Sequence, residues 1–236
     1  TPVAATSVRG TRFDVQASTQ GSATAVERGQ VALQARTSEL SQTPQHSPAR
    51  TALDAGYGMA IQANGLPYRI PELLKHDPDP GRFEGGHYLT LYLSPRDYHR
   101  IHVPLEGLVT AVSRVEGELW PVNEASTNHV PRLYERNRRA TWTATGTGVD
   151  EGLEVAAVLV GATHVGGIAL DERWLTGRKL PRDGGLAVDG LPCAPGEDLG
   201  TFQFGSTVVL LVGGPRAQDW LPLRTEGAVL VGQRLG

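Results

Sequence analysis

Cysteine is almost absent from the sequence: Cys193 stands alone, which excludes a disulfide framework and a zinc site built from several thiolates. Long apolar runs are missing too. Nothing approaches the roughly 18–20 residues that a membrane-crossing helix needs, and no signal peptide is visible. The chain opens at Thr1, not Met, so a preceding segment and any anchor it carries are left open. Neither sign of charge prevails, since 22 Lys and Arg stand against 25 Asp and Glu for a net −3. That balance gives no global pull toward nucleic acid, and no internal repeat is evident. What the chain does have is glycine and proline, 29 and 16 among 236 residues, a composition that favours short strands and turns over long helices. One local basic cluster interrupts the balance: Arg132, Arg136, Arg138 and Arg139. It reads either as a face toward anionic phospholipid, worth about 1 kcal/mol per charge, or as a solvated surface with ordinary ion pairs.

Residues 1–15 form a weak strand segment with Val3, Val8, Phe13 and Val15 as its apolar members. From 16 to 55 the composition turns to Ser, Thr, Gln, Ala and Pro. Large apolar residues are too sparse there for a packed core, so this is a flexible or helical insertion, with one helix expected at Ala23 to Leu40 and a hinge at Pro44 to Pro48. Order resumes near Met59. Residues 59–63 are a short strand, Gly65 to Pro67 a turn, and Ile70 to Leu74 a short helix that stops before Pro78 and Pro80. His87 to Leu93 alternates as a half-buried strand does. Further strands are expected at 107–115, 118–122, 140–145, 155–160, 164–170, 208–212 and 228–231. Regular short strands with glycine turns and few helices describe a mainly β domain over 56–236.

The chemistry is concentrated in Gly200-Thr-Phe-Gln-Phe-Gly205-Ser206-Thr207, which runs into the apolar strand Val208 to Val212. A Gly-Ser-Thr triplet at the mouth of such a strand is most often only a turn. Here it also places a hydroxyl beside the Gly205 carbonyl, and a residue without Cβ leaves that carbonyl open to attack. Attack by Ser206 Oγ on the peptide bond before it would give an ester, then elimination, then two chains with a pyruvoyl group heading the second. Such a step needs a base. His99 and His102 are the candidates, because imidazole titrates near neutrality. Their spacing of three puts them on one side of a helical turn, or on a tight loop bracketed by Pro95 and Pro104, so that one faces Ser206 and the other a substrate. No third ligand of the right type lies near them, so no metal is assigned. His46, His76, His87 and His129 are read as structural, and His164 as a residue that lines a pocket at most.

Four blocks give these residues a family context. They are Ile61-Gln-Ala-Asn-Gly-Leu-Pro-Tyr68 with Glu72-Leu-Leu, Tyr92-Leu-Ser-Pro-Arg-Asp-Tyr-His-Arg-Ile-His102-Val-Pro104, Val160-Gly-Ala-Thr-His-Val-Gly-Gly-Ile168, and Gly196-Glu-Asp-Leu-Gly-Thr-Phe-Gln-Phe-Gly205-Ser206-Thr-Val. In this order they resemble the phosphatidylserine decarboxylase family over roughly residues 59–236. The resemblance implies a barrel-sandwich type of β domain and self-cleavage between Gly205 and Ser206. It also implies a pyruvoyl cofactor derived from Ser206, with His102 as base in cleavage and His99 in the decarboxylation site. Phe204 stands where many members have Leu. Ala4 stands where the family carries an aspartate that orients the histidine, with Asp14 and Asp54 as possible substitutes.

The function implied is decarboxylation of phosphatidylserine to phosphatidylethanolamine. The pyruvoyl carbonyl condenses with the substrate amine and accepts the electrons released as carbon dioxide leaves. The same chemistry on a smaller amino acid is the alternative within enzymes, and an unprocessed lipid-binding member is the alternative outside them, motivated by Ala4. The implied partners are a phospholipid substrate and a second copy of the chain, each protomer split into a large and a small chain, with no nucleic acid. The implied location is the cytoplasmic side of the cell membrane, held peripherally.

Overall fold

The structure is a computed structural model that describes residues 13–16, 60–63, 66–93, 97–122, 124–163, 167–203, 206–223, 226–229 and 232–236. The helix expected at 23–40, the hinge at 44–48 and the rest of the insertion lie outside the described residues. In chain order the strands are β1 (Phe13–Gln16), β2 (Ala60–Ala63), β3 (Leu66–Arg69), β4 (His87–Tyr92), β5 (Arg100–His102), β6 (Gly107–Val115) and β7 (Arg139–Gly146). They continue with β8 (Glu154–Val160), β9 (Ile168–Leu170), β10 (Gly184–Cys193), β11 (Asp198–Phe202), β12 (Thr207–Gly213) and β13 (Glu226–Val229). Among the described residues three short α-helices join them, α1 (Ile70–Leu73), α2 (Glu124–His129) and α3 (Leu133–Arg136), beside single 3-10 turns.

The mainly β expectation holds. A six-stranded sheet runs in the order β10-β6-β7-β8-β12-β4, a smaller one in the order β5-β11-β9, and β1-β13 and β2-β3 are two-stranded ribbons. Every pairing is antiparallel. The sheets are open, with β10 and β4 at the two edges of the large one, so no barrel closes among the described residues. β8 and β12 lie side by side with nearly continuous apolar sequence and are buried on both faces, the pattern of strands covered from two sides. The small sheet supplies part of that cover. A Cβ on Gly200 of β11 would come 3.3 Å from Leu159 Cδ2 of β8 and 2.7 Å from the Ala169 carbonyl, so only glycine lets β11 approach this closely.

β4 is buried on both faces over most of its length, not half-buried as its alternation predicts. β1 and β2 both approach it, so this edge strand of the large sheet is not bare. The turn expected at Gly65 to Pro67 is, from Leu66 onward, the start of β3, which pairs with β2. The strand expected at 118–122 does not form; only one bridge joins Glu118 to Asn137. Fully buried Asn137 holds that segment with its side chain instead. Its Oδ1 accepts from Trp120 N at 2.9 Å, and its Nδ2 donates to the Trp120 and Gly161 carbonyls, each at 2.8 Å.

The basic cluster separates into distinct roles. Arg139 is buried, 1% exposed, at the start of β7. Its Nε donates to the Leu73 carbonyl at 2.8 Å and Nη2 to Glu72 O at 2.5 Å, while Nη1 reaches Glu135 O at 2.6 Å and Asn137 O at 3.0 Å. These carbonyls lie in α1 and in or just beyond α3, where helix ends leave acceptors unpaired. One guanidinium thus ties both short helices to the sheet. Burial lowers its pKa to about 10, which leaves it charged at neutral pH. Arg136 pairs with Glu118 at 2.9 Å and Arg138 with Glu116 at 2.8 Å. Of the two readings of this cluster, the ordinary ion pairs describe Arg132, Arg136 and Arg138, each with an acid beside it, while Arg139 belongs to the core.

Candidate active site

Ser206 precedes β12, whose register sets Thr207 opposite Tyr92 of β4 on one side and Val160 of β8 on the other. The serine is clamped from both directions. Its carbonyl accepts from Leu93 N at 2.7 Å, and its hydroxyl donates to the Val160 carbonyl through a short hydrogen bond. It is 0% exposed. Gly205, the other half of the expected cleavage site, lies outside the described residues. The neighbouring Thr207 hydroxyl is buried without a hydrogen-bond partner.

His99 and His102 enter from the small sheet. His102 ends β5, directly opposite Asp198 of β11. The expected helical turn is absent: from Arg100 to His102 the chain is extended, so His102 shares a face with Arg100, and His99 precedes the strand. The His99 carbonyl accepts from Phe202 N at 2.9 Å and from Thr201 Oγ1 at 3.2 Å. Phe202 ends β11, four residues before Ser206, so the backbone of His99 and the buried serine meet the same stretch of chain.

The imidazole of His102 has two neighbours. Its Nδ1 lies 3.2 Å from Asp198 Oδ1, an ion-pair distance without the alignment of a hydrogen bond. Its Nε2 lies 3.3 Å from the Tyr98 hydroxyl, and the two rings stack with centroids 5.9 Å apart and planes 10° from parallel. Asp198 Oδ2 accepts from Arg100 Nη1, and Trp174 Nε1 donates to the Asp198 carbonyl at 3.1 Å. Ser206 Oγ is turned to Val160, while the nitrogens of His102 are turned to Asp198 and Tyr98. The three residues predicted to act together are thus placed on adjoining elements, with no hydrogen bond joining His102 to Ser206. At the end of β4, burial and then the charge of Asp97 push the Tyr92 hydroxyl up, so it stays protonated at neutral pH.

Asp198 and Tyr98 were not singled out in the sequence reading. Both lie inside quoted blocks, but the register that sets Asp198 against His102 joins strands far apart in sequence, and no periodicity shows it. The remaining histidines lie away from Ser206 in the described elements. His76 Nε2 lies 2.8 Å from Asp183 Oδ1, and buried His87 packs edge-on against Trp220; His129 ends α2. His46 and His164 lie outside the described residues, as do Ala4 and Asp54. Asp14 lies in β1 opposite Ala228. Cys193 is buried and its thiol is pushed up to about 11 by that burial, which keeps it protonated and poorly nucleophilic.

Comparison with known proteins places this geometry in a family. The model of the family described as phosphatidylserine decarboxylase matches residues 53–236. A phosphatidylserine decarboxylase proenzyme of Myxococcus xanthus (strain DK1622) is 41% identical over 187 residues, covering 76% of this chain and 63% of the relative. The protein of the same name from Anaeromyxobacter sp. (strain K) is 40% identical over 184 residues, covering 76% and 64%. That from Brevibacillus brevis is 36% identical over 181 residues, covering 75% and 64%. The matched region spans somewhat less than two thirds of the length of these relatives. With a family match running from residue 53 to the last residue, the chain belongs to the phosphatidylserine decarboxylase family.

Proposed function

We propose that this chain cleaves itself between Gly205 and Ser206 and then decarboxylates phosphatidylserine to phosphatidylethanolamine. The observation that carries the reading is the position of Ser206. It is a hydroxyl with no exposure, held between the ends of β4 and β8, and it follows by four residues the end of β11, the strand paired with the one that carries His102.

Family membership implies a pyruvoyl group at position 206, and the residues fit it. A small carbonyl there would lie at a position with no exposure, beside the buried apolar residues Leu93 and Val160 whose backbone already holds it. When formed, that group supplies an electron-accepting carbonyl for the pair released as carbon dioxide leaves. The protein's own residues supply the rest. His102 takes the Ser206 hydroxyl proton during cleavage. His99, anchored through its carbonyl to Phe202 and Thr201, donates a proton to the substrate carbon during turnover. The apolar walls favour loss of a charged carboxylate.

A peripheral encounter with the bilayer and a homodimer belong to the same proposal. Leu221 and Leu223 are 62% and 60% exposed, but they follow Trp220, which packs on His87 at the opposite end of β4 from Ser206. They therefore do not form the rim of this site.

Vesicles containing phosphatidylserine should release carbon dioxide and gain phosphatidylethanolamine on incubation with the purified protein, and free serine should release far less. Equal release from both would point to the smaller substrate. No release from either would sink the enzyme reading.

A further inference from the structure

We propose that Asp198 is the carboxylate that positions His102, fixing the imidazole with its proton on Nδ1 and its lone pair on Nε2. The inference rests on the self-cleavage reading above and deepens it.

The argument begins with strand register. Asp198 and His102 are paired across β11 and β5, beside a register shift between Asp198 and Gly200, and opposed residues project to the same face with Cβ atoms about 5 Å apart. The backbone therefore brings carboxylate and ring together before any side chain is chosen. The side chains follow, with Asp198 Oδ1 3.2 Å from His102 Nδ1. Two further contacts hold the acid in place: Arg100 donates to its other oxygen, and Trp174 donates to its main-chain carbonyl at 3.1 Å.

An ionised carboxylate has only acceptors. The nitrogen that faces it therefore carries the proton, and Nε2 is left to accept from the Tyr98 hydroxyl 3.3 Å away. The His102 side chain is 8% exposed and that of Asp198 37%, so the ring is shielded from water and the carboxylate only partly so. Its Nδ1 lacks an aligned hydrogen bond, and a small ring rotation toward Asp198 completes one.

This tautomer is the one cleavage requires. As Ser206 Oγ bonds to the Gly205 carbonyl carbon, its proton passes to Nε2. As the bond from that carbon to the Ser206 nitrogen breaks, the proton moves to the nitrogen, and the products are an ester and an amine with His102 restored. During the step the imidazole is positively charged, and Asp198 opposes that charge. Tyr98 must release Nε2 first.

The test uses the full chain. In a Ser206→Ala background, which cannot cleave, the nitrogen chemical shifts of His102 should report a proton on Nδ1. Adding Asp198→Asn should move the proton to Nε2, because an amide can donate where the carboxylate could only accept. In the Ser206 chain, Asp198→Asn should slow cleavage by about a hundredfold to ten-thousandfold, the range known for loss of an orienting carboxylate. Asp198→Glu should restore part of the rate, and an unchanged circular dichroism spectrum would show that the fold persists. The same tautomer in both backgrounds, or a cleavage rate within about threefold of wild type, would overturn the proposal. If the wild-type chain never cleaves, the functional reading fails, while the tautomer comparison still decides whether Asp198 positions His102.

Discussion

The guanidinium of Arg139 and the imidazole of His102 are both withdrawn from water, one in the joint between two short helices and the large sheet, the other on the small sheet. Arg139 gives four of its five N–H donors to main-chain carbonyls of Glu72, Leu73, Glu135 and Asn137. Its charge answers helix ends that would otherwise be left without donors. His102 is held more loosely, by an unaligned carboxylate at 3.2 Å and a tyrosine hydroxyl at 3.3 Å. The role proposed for His102, to accept and return a proton, requires that its nitrogens not be saturated by fixed partners. The contrast separates a buried polar group that builds the frame from one that is free to do chemistry.

Substitutions can break that contrast from either side. The largest effect is expected at the serine: Ser206→Ala should leave an intact chain with no turnover, while its thermal midpoint stays within a few degrees of the parent. Retained decarboxylation would remove the pyruvoyl account. On the other side, Arg139→Met leaves four buried carbonyls without donors and should cost about 3–5 kcal/mol, read from urea unfolding. At temperatures where the variant remains folded, its cleavage should proceed. A destabilisation below about 1 kcal/mol would show that those carbonyls find other partners.

Within the site, His102→Ala should slow cleavage by about a thousandfold or more. His99→Ala should let cleavage proceed to some extent and lower decarboxylation by about a hundredfold to ten-thousandfold. A time course of band splitting, with carbon dioxide release on the processed fraction, separates the two steps. Equal effects on both would collapse the division of labour between the histidines. The smallest effect is expected far from the site. His76 and Lys75 hold the Asp183 carboxyl down to about 2. A folded pKa below the unfolded value of about 4 stabilises the fold above that pH, and the contribution is lost as pH falls toward 2. Because Asp183 is 43% exposed, solvent screens most of it. Asp183→Asn should lower the midpoint by no more than about 2 °C at pH 7, with the difference gone near pH 2 and reduced by salt.

The large sheet was legible because its strands carry their own signal. Gly107–Val115 forms as read, and β7, β8 and β12 differ from expectation by a residue or so at their ends. β10 escaped notice because Gly184, Gly185, Gly190 and Pro192 read as turn residues. It is an edge strand with a bulge between Ala187 and Leu191, where such residues are tolerated. Gly190 supplies a φ of +63° there. β5 and β11 are only three and five residues long, and their pairing depends on tertiary register. For that reason Ser206, His99 and His102 could be named from local motifs, while the neighbours of His102 could not. Among the four arginines at 132–139 only the burial of Arg139 was not legible: a local charge run says nothing about which member is drawn inside.

The most direct measurement is the intact mass of the purified protein under denaturing conditions. The expected result is two chains in place of one of 25.2 kDa, the smaller beginning at position 206 and lighter than a serine-headed fragment by the mass of ammonia. A single full-length mass after prolonged incubation, with Ser206 still a serine, would contradict the account.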